Sequence, residues 1–333
     1  MIRTLLAFLS LCLPALGYAS CDGPSQFDSL PIEERAVLRE KAHTAPFSQG
    51  LLWQIEKGGV RSFIVGTMHL PHPAHARTLD ALAPLMHTTE TLFLELSTPD
   101  EAAFMKELTA DSSLYLITEG PSLIDRLGDE IWQKLNRELK VRGIPGVVAA
   151  QYQPWFLGLT LSVAPCALKA LQSGELGLDR MVENAALERG LAIRSLDTPE
   201  SMIALFTSES IETQTDDLRI AIDAGLLKET NTEALIKHYL EEETRLAWGF
   251  SVHQSLKRAR ENGVVGMENQ LAKMEQDMLN NRNIAWAGVL KDALSQSPAT
   301  VAVGALHLPG NNGLLAVLND AGFKVTRLEF AAE

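Results

Sequence analysis

Thr300-Val-Ala-Val-Gly-Ala-Leu-His307 is an unbroken apolar run that ends on a histidine, and Phe63-Ile-Val-Gly-Thr-Met-His69 repeats its form near the other end of the chain. A short continuous run of Val, Ile and Ala reads as a strand buried on both faces, which is the signature of a parallel sheet covered by helices. Each run ends in Gly-x-x-His and is followed within two positions by Leu-Pro. The glycine permits a tight turn or a close backbone approach where the strand stops. Two β-units of one design are therefore expected, each offering a histidine at the carboxyl edge of the sheet, where open α/β sheets bind ligands.

Working outward, Leu51-Leu-Trp-Gln-Ile-Glu-Lys57 and Val60-Arg-Ser-Phe-Ile-Val65 flank Gly58-Gly59 and predict a hairpin. A helix over Arg77 to His87 and a strand over Thr91 to Ser97 follow, giving a strand–helix–strand unit whose default is parallel pairing with a right-handed crossover. From about Asp100 to Ser297 the pattern is mostly helical, with a helix over Leu178 to Arg189 and one strand, Leu191 to Asp197. The end returns to α/β: the Thr300 strand, a Gly-rich turn, a helix near Leu314 to Ala321 and a strand over Lys324 to Phe330. The expected fold class is α/β, with a mainly parallel central sheet flanked by helices and a large helical middle section.

The chain has 333 residues, 46% of them hydrophobic, and a formal net charge of −13. Such a field repels a phosphate backbone, so nucleic acid is not an expected partner. Arg3, the apolar run Leu5 to Leu16 and the small residues Gly17, Ala19 and Ser20 describe a secretory signal peptide over residues 1–20, with cleavage after Ala19 fitting best. An exported protein, periplasmic or secreted, is therefore expected. Residues 21–48 read as a peripheral segment with one short helix around Ile32 to Ala42, and 49–333 as the main domain. Cys21 sits where a lipid-modified cysteine would sit, although Tyr18-Ala19-Ser20 lacks the usual aliphatic residue. Beyond the signal only Cys21 and Cys166 remain, an even pair that an oxidising compartment can join. No later segment reads as transmembrane, since Pro165 breaks the apolar stretch Trp155 to Leu171.

The candidate site residues follow from position. An imidazole at a strand end, His69 or His307, can ligate a metal or transfer a proton near neutral pH. Glu95 lies inside the apolar Phe93-Leu-Glu-Leu96, where an unpartnered carboxylate would cost several kcal/mol. Asp197 ends its strand before Thr198-Pro199 and reads equally as a site residue or as the start of a helix. Asn283 falls on the apolar stripe of Leu279, Trp286 and Leu290, and Arg282 borders it, suited to a carboxylate or an anionic ligand. His72 and His75 read as loop residues. His43, His87, His238 and His253 have no companion motif, and Glu241-Glu-Glu243 reads as a solvated helix face. Zinc-protease, Walker, serine-hydrolase and thioredoxin motifs do not occur.

Taken together, Phe63–His69, Leu92-Phe-Leu-Glu95, Gln153-Pro-Trp155, Gly177-Leu-Asp179, Leu196-Asp-Thr198, Arg282-Asn283 with Trp286 and Val301–Leu308 resemble the TraB/GumN family, which includes the Tiki metalloproteases. The resemblance spans roughly Leu51 to Leu328 and implies a fold similar to erythromycin esterases and ChaN-like haem-binding proteins. It implies that His69 and His307 are the paired motif histidines, Glu95 the first acidic position and Arg282-Asn283 the Arg-Asn pair. Asp197 stands where the family usually has Glu, and Gly177-Leu-Asp179 looks like a structural Gly-x-Asp. The activity it implies is a metal-dependent hydrolase, a peptidase acting on a peptide or small-molecule substrate. In that reading His69, His307, Glu95 and Asp197 supply the ligands of a divalent cation (Mn, Co or Zn), a carboxylate serves as general base and Arg282 neutralises developing charge. Two alternatives stay open: a haem- or metal-binding protein without catalysis, and a metal-free hydrolase in which the two histidines are acid and base.

Overall fold

The computed structural model describes Cys21 and residues 25–172, 174–227 and 232–330; the expected signal peptide lies outside the described residues. Six strands form one sheet: β1 (Leu52–Lys57), β2 (Val60–Thr67), β3 (Thr91–Leu94), β4 (Ala192–Ser195), β5 (Ala299–Gly304) and β6 (Lys324–Leu328). Their spatial order is β4-β3-β5-β2-β1-β6. The four strands β4, β3, β5 and β2 run parallel, and β1 and β6 close one edge antiparallel.

The Gly-Gly hairpin forms as the sequence predicts, pairing Leu52 with Val65 and Lys57 with Val60. The first strand–helix–strand unit differs in one respect. β2 and β3 are parallel but not neighbours, because β5, more than 200 residues away in sequence, lies between them. Thus the two Gly-x-x-His strands are adjacent, with Gly66 opposite Val303 and Thr67 opposite Gly304.

Burial explains why β5 takes the centre. Thr300, Val301, Ala302 and Val303 are all at most 1% exposed. Alternate side chains face opposite layers. Val301 and Val303 join Ile64 and Phe93 under the helices Asn281–Gln296 and Leu314–Asp320. Ala302 joins Phe63, Val65, Leu92 and Leu94 under the helices His75–Met86 and Leu178–Glu188. Each fully covered Leu, Val or Phe contributes roughly 1.5–3 kcal/mol, and both faces of the sheet are filled in this way.

Between β3 and β4, and again between β4 and β5, the chain is helical. The apolar stretch after Gln153 forms two short helices, Pro154–Ser162 and Pro165–Gln172, divided at Pro165. Among the described residues no helix is long and apolar enough to cross a membrane. The helix Ile32–His43 packs Leu38 and Ala42 with Phe27 and Leu30 against Ala234, Leu246 and Phe250. Cys21 is joined to Cys166, with Cα atoms 5.4 Å apart. The pairing left open for the two cysteines beyond the expected signal peptide is thus formed in this structure.

Candidate active site at the carboxyl edge of the parallel strands

The four parallel strands each deliver one polar residue just past their carboxyl ends. In spatial order these are Asp197 after β4, Glu95 after β3, His307 after β5 and His69 after β2. The β3–β4 pairing runs on into the site, since Leu196 N–H donates to Leu94 O and Asp197 N–H to Glu95 O. Backbone bonds therefore place the two carboxylates side by side.

Arg282 binds them together. Its Nη2 donates to Glu95 Oε2 and to Asp197 Oδ2, each at 2.6 Å, and Nε donates to Asp197 Oδ2 at 3.2 Å. Nη1 donates to Met278 O and to His307 Nε2. The guanidinium lies 4.5 Å over the Trp286 ring, whose Nε1–H donates to Asp197 Oδ1. The residues Gln276–Asn280 just before the helix form a π-helical turn, a widened turn of the kind that recurs at functional sites and here sets the entry of Arg282. Thr198 caps the following helix by itself, which frees Asp197 from the helix-start role.

Asn283, 1% exposed, decides the state of His307. Its amide nitrogen donates to the Asn312 carbonyl, so its oxygen faces His307 Nδ1 at 2.8 Å. Nδ1 must then carry the proton, leaving Nε2 to accept from Arg282. Burial, with Arg282 and His69 adding to it against the pull of Glu95, lowers the His307 pKa to about 4. Burial opposes ionisation of Glu95, but His307, Arg282, His69 and the Gly304 N–H outweigh it and hold that carboxyl at about 2.

Gly304 has a stricter reason to be glycine than a turn. Its N–H donates to Glu95 Oε1 at 2.6 Å, and a Cβ there would stand 2.9 Å from that oxygen. A Cβ at Gly66 would meet Leu308 and Ala305 at 2.9–3.0 Å, so Gly66 makes room for the end of the other motif's strand, as Gly304 does for the Glu95 carboxylate.

His69 differs from His307. Its side chain is 66% exposed against 5% for His307, and only Nδ1 is engaged, 3.2 Å from Asp179 Oδ1. Asp179 raises its pKa to about 8. The Gly177-Leu-Asp179 motif thus supports His69: Leu178 N–H donates to Met68 O, and Gly177 lies under the His69 carbonyl. A Cβ at Gly177 would stand 2.3 Å from that oxygen and 2.6 Å from its carbon, both backbone atoms. Gly177→Ala should therefore cost of order 1–3 kcal/mol in a denaturant melt and reduce turnover with it; an unchanged midpoint would contradict this contact.

On the same helix Glu183, 2% exposed, accepts from Thr98 N–H and Oγ1–H and from Arg180, which also donates to Leu96 O. These bonds brace the loop that carries Glu95. Of the two histidines read as loop residues, His72 lies in the loop, where its Nδ1 accepts from Ala74 N–H, whereas His75 opens the helix His75–Met86 and, fully buried, bonds the Leu70 carbonyl.

As these side chains stand, the expected four-residue metal set does not fit a cation. Glu95 Oε1 and His307 Nε2 are 3.9 Å apart, but Asp197 is committed to Arg282 and Trp286, and the guanidinium already compensates both carboxylates. Among the described residues, the group of three potential ligand atoms that do lie within 4.8 Å of one another is a different one, His238, Glu241 and Glu243. His238 has no companion motif in the sequence and Glu241-Glu-Glu243 has the pattern of a solvated face, but the Glu243 side chain is only 15% exposed.

No curated protein matches the chain. A family model described as the TraB/PrgY/gumN family matches residues 51–327, a span that contains all four strand-end residues together with Asp179, Arg282 and Asn283. The chain belongs to the TraB/PrgY/gumN family.

Proposed function

We propose that the protein is an exported hydrolase in which His69, held by Asp179, activates water for attack on an amide or ester carbonyl. The observation that carries this reading is the Asp179–His69 pair at the open carboxyl edge of the sheet, with one ring nitrogen free. The Asp179 carboxylate, 3.2 Å from Nδ1, stabilises by its charge the imidazolium formed when Nε2 takes a proton. His307, engaged on both nitrogens, acts instead with Asn283 to hold Arg282 in place. The fixed positive charge of Arg282 favours the negative charge that develops on the carbonyl oxygen in the transition state. Peptides are the substrate class implied by the family resemblance, and the Cys21–Cys166 disulfide supports an oxidising, exported setting.

The test is turnover of a peptide and ester panel by the mature protein, beside His69→Ala and His307→Ala, with and without chelator. His69→Ala should lose on the order of 10²–10⁴ in kcat while staying folded, and wild-type turnover should survive chelation. Turnover abolished by chelation and restored by Mn, Co or Zn would replace this reading with the metal-dependent one, in which Glu95, His307 and His69 are the ligands. Full activity in His69→Ala would sink both.

A further inference from the structure

The turn between the helices Thr232–Leu240 and Thr244–Glu261, which bonds Gly50 and Leu51 at the start of β1, gathers a second set of chemistry-bearing side chains. His238 is fully buried, its ring perpendicular to Phe27 with centroids 4.6 Å apart, which locks its orientation. Glu241 Oε2 lies 3.1 Å from His238 Nδ1, and Glu243 Oε2 lies 3.9 Å from the same nitrogen. Glu242 between them has φ +62, and this reversal sends its own side chain the other way, to Leu51 N–H and Arg327.

One imidazole N–H cannot satisfy both carboxylates. Glu241 takes it, and Glu243 Oε2 is left buried without a hydrogen-bond partner; Arg39 approaches it only to 4.0 Å. A buried carboxylate oxygen with no donor is costly, and such an atom in a native fold points to a missing water or ion. A metal on Nδ1 would replace the proton now shared with Glu241, and the ring proton would pass to Nε2, which is buried without a partner. The other Glu243 oxygen is held by His43 at 3.2 Å and Gln49 at 3.1 Å, as ligating carboxylates commonly are.

We infer that His238 Nδ1, Glu241 and Glu243 form a binding site for a divalent transition metal of the zinc class, separate from the site at the sheet edge. One nitrogen and two carboxylate ligands suit zinc and its neighbours and disfavour calcium or magnesium, which prefer oxygen alone. The three ligand atoms lie within 4.8 Å of one another, so a modest closure brings them to bonding distance, with water filling the remaining positions. His43 ends the helix Ile32–His43, and through it the metal ties the N-terminal segment to the helical section. The role is structural: a clamp that stabilises the folded state by mass action.

The test uses the mature protein in a His69→Ala background, stripped with chelator, dialysed and titrated with zinc by calorimetry and thermal melts. About one zinc per chain and a rise in the thermal midpoint are expected. Glu241→Gln and Glu243→Gln, which spare the packing of His238 on Phe27, should each weaken zinc binding on the order of 10- to 100-fold and remove the thermal shift. Zinc binding and thermal shift unchanged in both variants, or no zinc bound by the His69→Ala protein, would overturn the inference.

Discussion

Replacement of Arg282 by alanine is expected to lower the stability of the folded chain by about 3 kcal/mol and to abolish turnover. The guanidinium is 12% exposed and makes charge-assisted bonds to Glu95 and Asp197, themselves 17% and 9% exposed. Without it, two adjacent carboxylates remain in a setting that offers them only the Gly304 N–H and the Trp286 indole N–H. The burial that opposes ionisation of Glu95 is then less well offset, and like charges at close range add to the cost. Lysine is not expected to rescue, because one ammonium cannot reproduce the fork that reaches Glu95, Asp197 and His307 together. The sign of the pH dependence follows. Glu95 is depressed from 4.5 to about 2 in the wild type, so its contribution is present above 4.5 and is lost as pH falls through about 2. The gap between wild type and Arg282→Ala should accordingly be wide at neutral pH and narrow on acidification. Adding Glu95→Gln to Arg282→Ala should return part of the stability without returning activity. A loss below about 1 kcal/mol at neutral pH, the size typical of an exposed pair, would show that the network does not hold the site together.

Much of this site is legible in the sequence because strand ends are local signals. Apolar runs ending at His69, Glu95, Asp197 and His307 mark four strands, and a parallel sheet presents four such ends along one edge. What stays hidden depends on contacts between segments far apart in the chain. Placing β5 between β2 and β3 requires pairing across more than 200 residues, which no local pattern encodes. Gly304 reads as a turn glycine, whereas its decisive neighbour is the Glu95 carboxylate. Arg282 reads as a residue bordering an apolar stripe, but its guanidinium bonds Glu95 and Asp197, which lie 187 and 85 residues away in the chain. Asp179 has the correct chemistry for a partner of His69, yet 110 residues separate them, and only the backbone contact of Gly177 beneath His69 shows why the motif exists. The acidic run at Glu241 looks like one solvated face because helical periodicity is assumed across it; the left-handed Glu242 breaks that periodicity and sends its neighbours to different partners.

The pH dependence of kcat/KM should rise with a midpoint of about 8 and stay flat above it, because the free enzyme must hold His69 neutral for Nε2 to accept a proton. Asp179 sets that midpoint. In Asp179→Asn the stabilised imidazolium is lost, so the midpoint should fall toward the ordinary histidine value of 6.5. The plateau should fall at the same time by on the order of 10⁴, since an amide can present its N–H to Nδ1 and favour the wrong tautomer. Two opposite changes in one variant, activity starting at lower pH but reaching a lower ceiling, distinguish a positioning role for Asp179 from simple loss of structure. The folded state carries the same linkage. His69 is raised from 6.5 to about 8, so the stability it contributes is fully present below 6.5 and disappears as pH rises through about 8. Thermal midpoints should therefore decline across that window in the wild type and not in Asp179→Asn, while the rate climbs across it. His307, held to about 4 and bonded on both nitrogens, should leave no mark on the profile between pH 5 and 9. A wild-type profile flat through pH 8, or one whose midpoint is the same in Asp179→Asn, would remove His69 from the role of base and shift attention to the buried cluster around Arg282.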